Sequence, residues 1–171
     1  VEIPGRPVEP GREPQLFYAG VTARYLPALG APLLRGRLFS DQEATTRSGV
    51  AVVNVSMART LLATAEEEEG LPRLAPNRLA GARELGGLDP VGRQFRLAED
   101  ANAPLFTVIG VVADVMIEEV SDQEVTPSAF VPYPYQQTPN TGLVVRASGD
   151  AVALTPAIRA AIRASDASLP V

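Results

Sequence analysis

The chain has 171 residues, 46% of them hydrophobic, which allows one domain or two small lobes around a true core. Its 15 basic residues are all arginine and face 20 carboxylates; the formal charge of -5 comes mostly from one run, Glu66–Glu69, so nothing points to a nucleic-acid surface. The absence of cysteine and histidine excludes disulfides and Cys-based zinc sites and removes the commonest general base, while the absence of lysine removes any Ser–Lys pair.

The opening "VEIPGRPVEPGREP" carries four prolines and predicts an extended lead-in with turns. It has no initiator Met and no basic-then-apolar leader, so the chain is expected to be a piece of a longer protein. No apolar run approaches the ~18 residues of a membrane helix. "QLFYAGV", Gln15–Val21, predicts a strand. A short helix over Ala23–Leu29 should follow, with Thr22 as N-cap and Gly30 as its stop, and Pro27 must lie in its first turn. "APLLRGRLF" then leads to Ser40 and Glu43, which have the spacing of a capping box.

"GVAVVNV", Gly49–Val55, is rich in β-branched residues and predicts a buried strand. "SMARTLLA" predicts a helix capped by Asn54 or Ser56, with Met57, Leu61 and Leu62 inward. Residues 64–87 are charged and broken by Gly70, Pro72 and Pro76, and predict a solvated insertion. "DPVG" predicts a turn with Pro90 at its second position, leading to the strand "RQFRL". "LFTVIGVVADV", "SAFVPYPY" and "TGLVVRAS" predict three further strands. The last segment predicts a helix capped by Asp150, with Leu154, Ile158 and Ile162 on one face. Strands and helices alternate without a doubly wound rhythm, and the fold class expected is α+β, with mixed small sheets and flanking helices.

Chemistry has little raw material. "FTVIGVVADV" invites a nucleotide reading, but Gly110 stands alone in mid-strand and acids follow it, which would repel a phosphate. Asp114, Glu118, Glu119, Asp122 and Glu124 can supply oxygen ligands to Ca²⁺ or Mg²⁺, yet lack a loop that fixes their geometry; a solvated connection is the plainer reading. The four adjacent acids of Glu66–Glu69 point in different directions and cannot converge on an ion. Serines are present without a base or a G-x-S-x-G elbow. Asn54–Ser56 matches a glycosylation pattern, but its place at a strand-to-helix junction favours capping. No catalytic, cofactor-binding or metal residue is assigned, and the expectation is a protein that is not an enzyme and uses no cofactor.

Six segments, taken in order, resemble the MacB-like periplasmic core domains of ABC-transporter permeases of the MacB and FtsX type. They are "VTARYLPALGAPLLRGRLFSDQE", "VAVVNVSMARTLL", "DPVGRQFRL", "FTVIGVVADV", "PSAFVPYPY" and "LVVRASGDAVALTPAIRAAIRASDASLPV". The wording is similar to that of duplicated permeases abundant in acidobacteria. The resemblance implies two lobes: a partial porter-like lobe over 1–34 and 136–171, and a sabre-like lobe over 35–135. It implies an extracytoplasmic domain of an inner-membrane protein that transmits ATPase-driven motion for export or substrate release. The partners implied are the parent's membrane helices and a cytoplasmic ATPase, with a homodimer or a periplasmic partner protein open and no nucleic acid. Residues 64–87 exceed the connection expected in that family. A ligand-binding extracytoplasmic module without a motor is the alternative, and a divalent-ion hydrolase built on Asp114 and Glu118 is a third reading.

Overall fold

The computed structural model describes residues 1–6, 15–63, 85, 87, 89–97, 104–115, 125–136 and 141–168. By contact it divides into two compact units, Val1–Thr141 and Gly142–Val171. The described residues of the first contain one mixed sheet. Its elements are β1 (Phe17–Val21), α1 (Tyr25–Leu29), β2 (Leu33–Gly36), α2 (Asp41–Ala44), β3 (Val50–Asn54), α3 (Val55–Leu62), β4 (Gln94–Phe95), β5 (Phe106–Val112) and β6 (Ser128–Pro132). The path runs β1-β6-β3-β5-β2, with β4 also paired to β5. β1 is parallel to β6 and β3 to β5, whereas β6 is antiparallel to β3, and β2 and β4 are antiparallel to β5. The α+β expectation holds, with the strands gathered into a single sheet.

That sheet is buried on both faces, which explains why β3, β5 and β6 read as near-continuous apolar runs rather than alternating ones. Ala51, Val53, Ala129 and Val131 face a cluster completed by Met57 and Leu61 of α3 and by Phe95 and Phe106. Val52 and Phe130 face the other way, onto Leu26 of α1, Ala44 of α2 and Phe39 from the loop before α2. Register between β3 and β5 slips once: Ala51 pairs with Val108 but Val52 with Gly110, leaving Ile109 as an extra residue. A bulge of that kind swaps sides, so Val108 and Val111 share a cluster although three positions apart.

Gly110 lies where β2 comes closest. A Cβ built on it would overlap the Arg37 carbonyl oxygen, and one built on Gly36 would overlap that of Ile109. Gly36 also has φ +64, outside the comfortable range of other residues. The two glycines are paired in register. They let two backbones touch; neither opens a loop for a ligand.

The helix signals read from the sequence hold with adjustments. Ser40 and Glu43 form both halves of a capping box at α2. α1 begins at Tyr25, and its N-cap is Arg24 with no side-chain cap, so Thr22 contributes only its carbonyl to the Tyr25 amide. Gly30 ends α1 in the left-handed conformation at φ 71. The turn before β4 is shifted by one residue: the Arg93 amide donates to the Pro90 carbonyl, Gly92 takes φ +86, and Asp89 Oδ1 accepts from the Val91 amide. The insertion over 64–87 falls largely outside the described residues, but Leu85 within it is 1% exposed and packs in the core with Met57 and Phe95. It is therefore not wholly solvated.

β1 is hydrogen-bonded along β6 and lies within the first unit. The second unit holds a 3₁₀ turn, Val152–Leu154, and α4 (Thr155–Ser165). Asp150 Oδ1 accepts from the Val152 amide, but the N-cap of that turn is Ala151 and that of α4 is Leu154, neither with a side-chain cap, so Asp150 does not cap the helix as expected. Pro156 sits in the first turn of α4, where no donor is needed. The strand expected in "TGLVVRAS" is not formed: Leu143 is 65% exposed, and no described strand pairs with it. A strand's ladder needs a neighbour, which β-propensity alone cannot supply.

Candidate functional site

The described residues with the most polar chemistry meet where parallel strands β3 and β5 end. Open sheets often bind ligands outside such strand ends. In this chain the position is filled by the protein's own groups. Asn54 is fully buried at the end of β3, and its Oδ1 accepts from the Met57 amide (2.9 Å) and the Ser128 amide (2.8 Å). Its Nδ2 donates to the Thr126 carbonyl at 3.0 Å. One side chain thus caps α3, fixes the start of β6 and holds the segment before it. An engaged, buried amide cannot accept a glycan, so capping is the role of the N-V-S triplet.

Asp114 follows β5, in the stretch for which a solvated connection is the expectation. Instead it is 7% exposed, and its two oxygens accept from the Ser56 amide (3.1 Å) and the Ser56 hydroxyl (3.2 Å). Asn54 and Asp114 together satisfy two of the orphan amides at the first turn of α3, and the carboxylate sits at the positive end of the helix dipole. The reason a carboxylate is buried there is structural. Glu118, Glu119, Asp122, Glu124 and Glu66–Glu69 lie outside the described residues, and among the described residues no group of three acidic side chains is placed to hold a metal ion.

Among the described residues the strongest electrostatic perturbation is elsewhere. Glu43 accepts from both terminal nitrogens of Arg37 at 2.7 Å and from the Ser40 amide at 2.9 Å. The Arg37 guanidinium, then the Ser40 amide, pull the Glu43 carboxyl down to about 2. This ion pair is at the surface and belongs to the capping box, so it has no convergent partner for catalysis. A concavity lined by Thr155, Pro156, Arg159, Ala160 and Arg163 is one face of the exposed helix α4; all its walls come from that helix. A deep, partly apolar cleft is what a small-molecule site needs.

Sequence reasoning found Asn54, Asp114, Gly110 and the capping box but overlooked Tyr135 and Gln136. Tyr135 Oη accepts from the Gly49 amide at 3.0 Å, and Gln136 Oε1 from the Gly20 amide at 2.7 Å. Only their place after a proline-bounded strand hinted at a fixed turn. No helix among the described residues is long and apolar enough to cross a membrane.

The model of the MacB-like periplasmic core domain matches residues 7–165. Among curated proteins none matches the sequence significantly. The periplasmic region of MacB from Actinobacillus actinomycetemcomitans superposes with a TM-score of 0.50 at 17% identity, over 86% of this chain and 56% of that one. At that identity the likeness concerns the fold, and this chain spans little more than half of that structure. A domain of a protein described as a putative permease from Porphyromonas gingivalis gives a TM-score of 0.44 at 16% identity, over 85% of this chain and 58% of that one. The family match covers nearly the whole chain, and the chain belongs to the family of MacB-like periplasmic core domains.

Proposed function

We propose that this chain is a non-catalytic extracytoplasmic domain of an ABC-transporter permease, set on the outer side of an inner membrane, which passes ATPase-driven motion toward export or substrate release. The observation that carries the reading is the family match over 7–165. Two features support it. The polar groups that looked chemical in the sequence, Asn54 and Asp114, are consumed in capping. The sheet, buried on both faces, is a stiff body of the sort that coupled motion requires. In this reading the sheet-bearing unit carries the sabre-like part and Gly142–Val171 carries the C-terminal portion of a porter-like part. The parent's membrane helices and a cytoplasmic ATPase are the partners.

The test is made on the parent protein reconstituted in vesicles with its ATPase. A fluorophore pair on residues 62 and 165 is expected to change its transfer efficiency on ATP binding and to return on hydrolysis. A parent without hydrophobic helices flanking this segment, or a signal indifferent to nucleotide, sinks the proposal.

A further inference from the structure

We infer that Tyr135 and Gln136 form a mechanical clamp, which ties the exit of β6 to both of its sheet neighbours so that load from the C-terminal side enters the sheet through β1 and β3 together. β6 lies between those strands. Immediately after it the chain turns through the 3₁₀ segment Tyr133–Tyr135, closed by the Gln136 amide donating to the Tyr133 carbonyl at 3.1 Å. The two residues that end this turn then reach in opposite directions. Gln136 Oε1 accepts from the Gly20 amide of β1, and Tyr135 Oη accepts from the Gly49 amide just before β3.

Each grip is reinforced sterically. The Tyr135 ring packs edge-on against Phe106, with centroids 4.8 Å apart and planes at 73°, and Arg47 lies over its face at 5.8 Å. On the other side Gly20 has no room for a side chain: a Cβ there would meet the Gln136 carbonyl oxygen at 2.9 Å. Beyond Gln136 the chain continues to the second unit, which begins at Gly142. Pulling β6 outward from its end without the clamp would peel it one ladder bond at a time. With the clamp, bonds to two strands must break together, and parallel bonds loaded at once resist more than bonds loaded in turn.

The chain has no cysteine, so Ala63→Cys and Gly142→Cys give unique handles for an optical trap. The parent background is expected to break in one event. Tyr135→Phe with Gln136→Ala should add an earlier, weaker event releasing ~14 Å, the length of residues 133–136. Amide exchange by NMR supplies a second readout: Tyr135→Phe should speed the Gly49 amide about tenfold and leave Gly20 alone, Gln136→Ala should do the reverse, and Gln136→Glu, which keeps the acceptor oxygen, should restore protection. Unchanged traces or unchanged exchange at both glycines overturn the clamp. So does a uniform acceleration across β3 and β5, which would make the turn ordinary core packing. The clamp's use in transport rests on the function proposed above, and the two fail separately. A parent permease that exports normally with both residues replaced, while trap and exchange results hold, removes the transmission role and leaves the clamp.

Discussion

Gly110 and Gly36 face each other across the β2–β5 pairing, and a side chain on either one meets backbone rather than a movable side chain. Gly110→Ala is therefore expected to destabilise the first unit by about 3 kcal/mol, at the upper end of overpacking costs. Urea denaturation checks this: the midpoint should fall with little change in slope. Asn54 belongs to the same scale. Its removal strands two buried amides, Met57 and Ser128, and Asn54→Ala should cost roughly 2–4 kcal/mol, since each unsatisfied buried donor costs ~1–3 kcal/mol. Asn54→Asp keeps the acceptor but loses the donor to the Thr126 carbonyl, and should cost less. If the two variants melt alike, the capping account of Asn54 is wrong.

At the scale of the element, α2 is four residues long and cannot persist on propensity. Its capping box and the Arg37–Glu43 pair hold it; the ion pair and the Ser40 amide bond draw on the Glu43 carboxylate, whereas Ser40 Oγ accepting from the Glu43 amide does not. The Glu43 carboxyl is depressed from 4.5 to about 2, so its stabilisation is complete above the ordinary value and is lost as pH falls through about 2. Arg37 is 56% exposed and Glu43 21%, so solvent screens the pair, and the contribution is about 1 kcal/mol. Glu43→Gln should lower stability at neutral pH by that amount and flatten the profile between pH 4.5 and 2, as read by thermal melts across that range. This box was legible in the sequence because its chemistry is local, three residues apart. So were β1, β3, β5, β6 and α3, whose apolar runs and caps lie within one stretch of chain. β2 was not legible: "LLRG" acquires strand geometry only from β5, and its glycine only from the closeness of that approach. The reverse error at Leu143–Val145 has the same source, since β-branched residues promise a strand that no described neighbour completes. Tyr135 and Gln136 were invisible for a further reason. Their partners are glycine amides 86 and 116 positions away, and backbone donors leave no mark on a sequence.

For the whole molecule, the contact boundary at Thr141 and Gly142 predicts that residues 1–141 fold without the remainder. A chain ending at Thr141 should melt within a few degrees of the full chain by circular dichroism; loss of the cooperative transition would show the second unit to be required. Leu85 gives a companion test. Leu85→Ala should cost about 3 kcal/mol if that side chain truly belongs to the core, against almost nothing for a residue of a solvated loop. The order of strands carries one more consequence. β6 is the last made of the described strands, yet it stands between β1 and β3, the first and third. A growing chain therefore holds β1 and β3 apart, each with an open edge, until residue 132 has emerged. At roughly 5–20 residues per second, the interval from the end of β3 to the end of β6 is several seconds of synthesis. During it the apolar β3 and β5 can pair with each other but not with β1. A half-made chain is thus the form most exposed to wrong pairing, and folding waits on the arrival of a single interior strand.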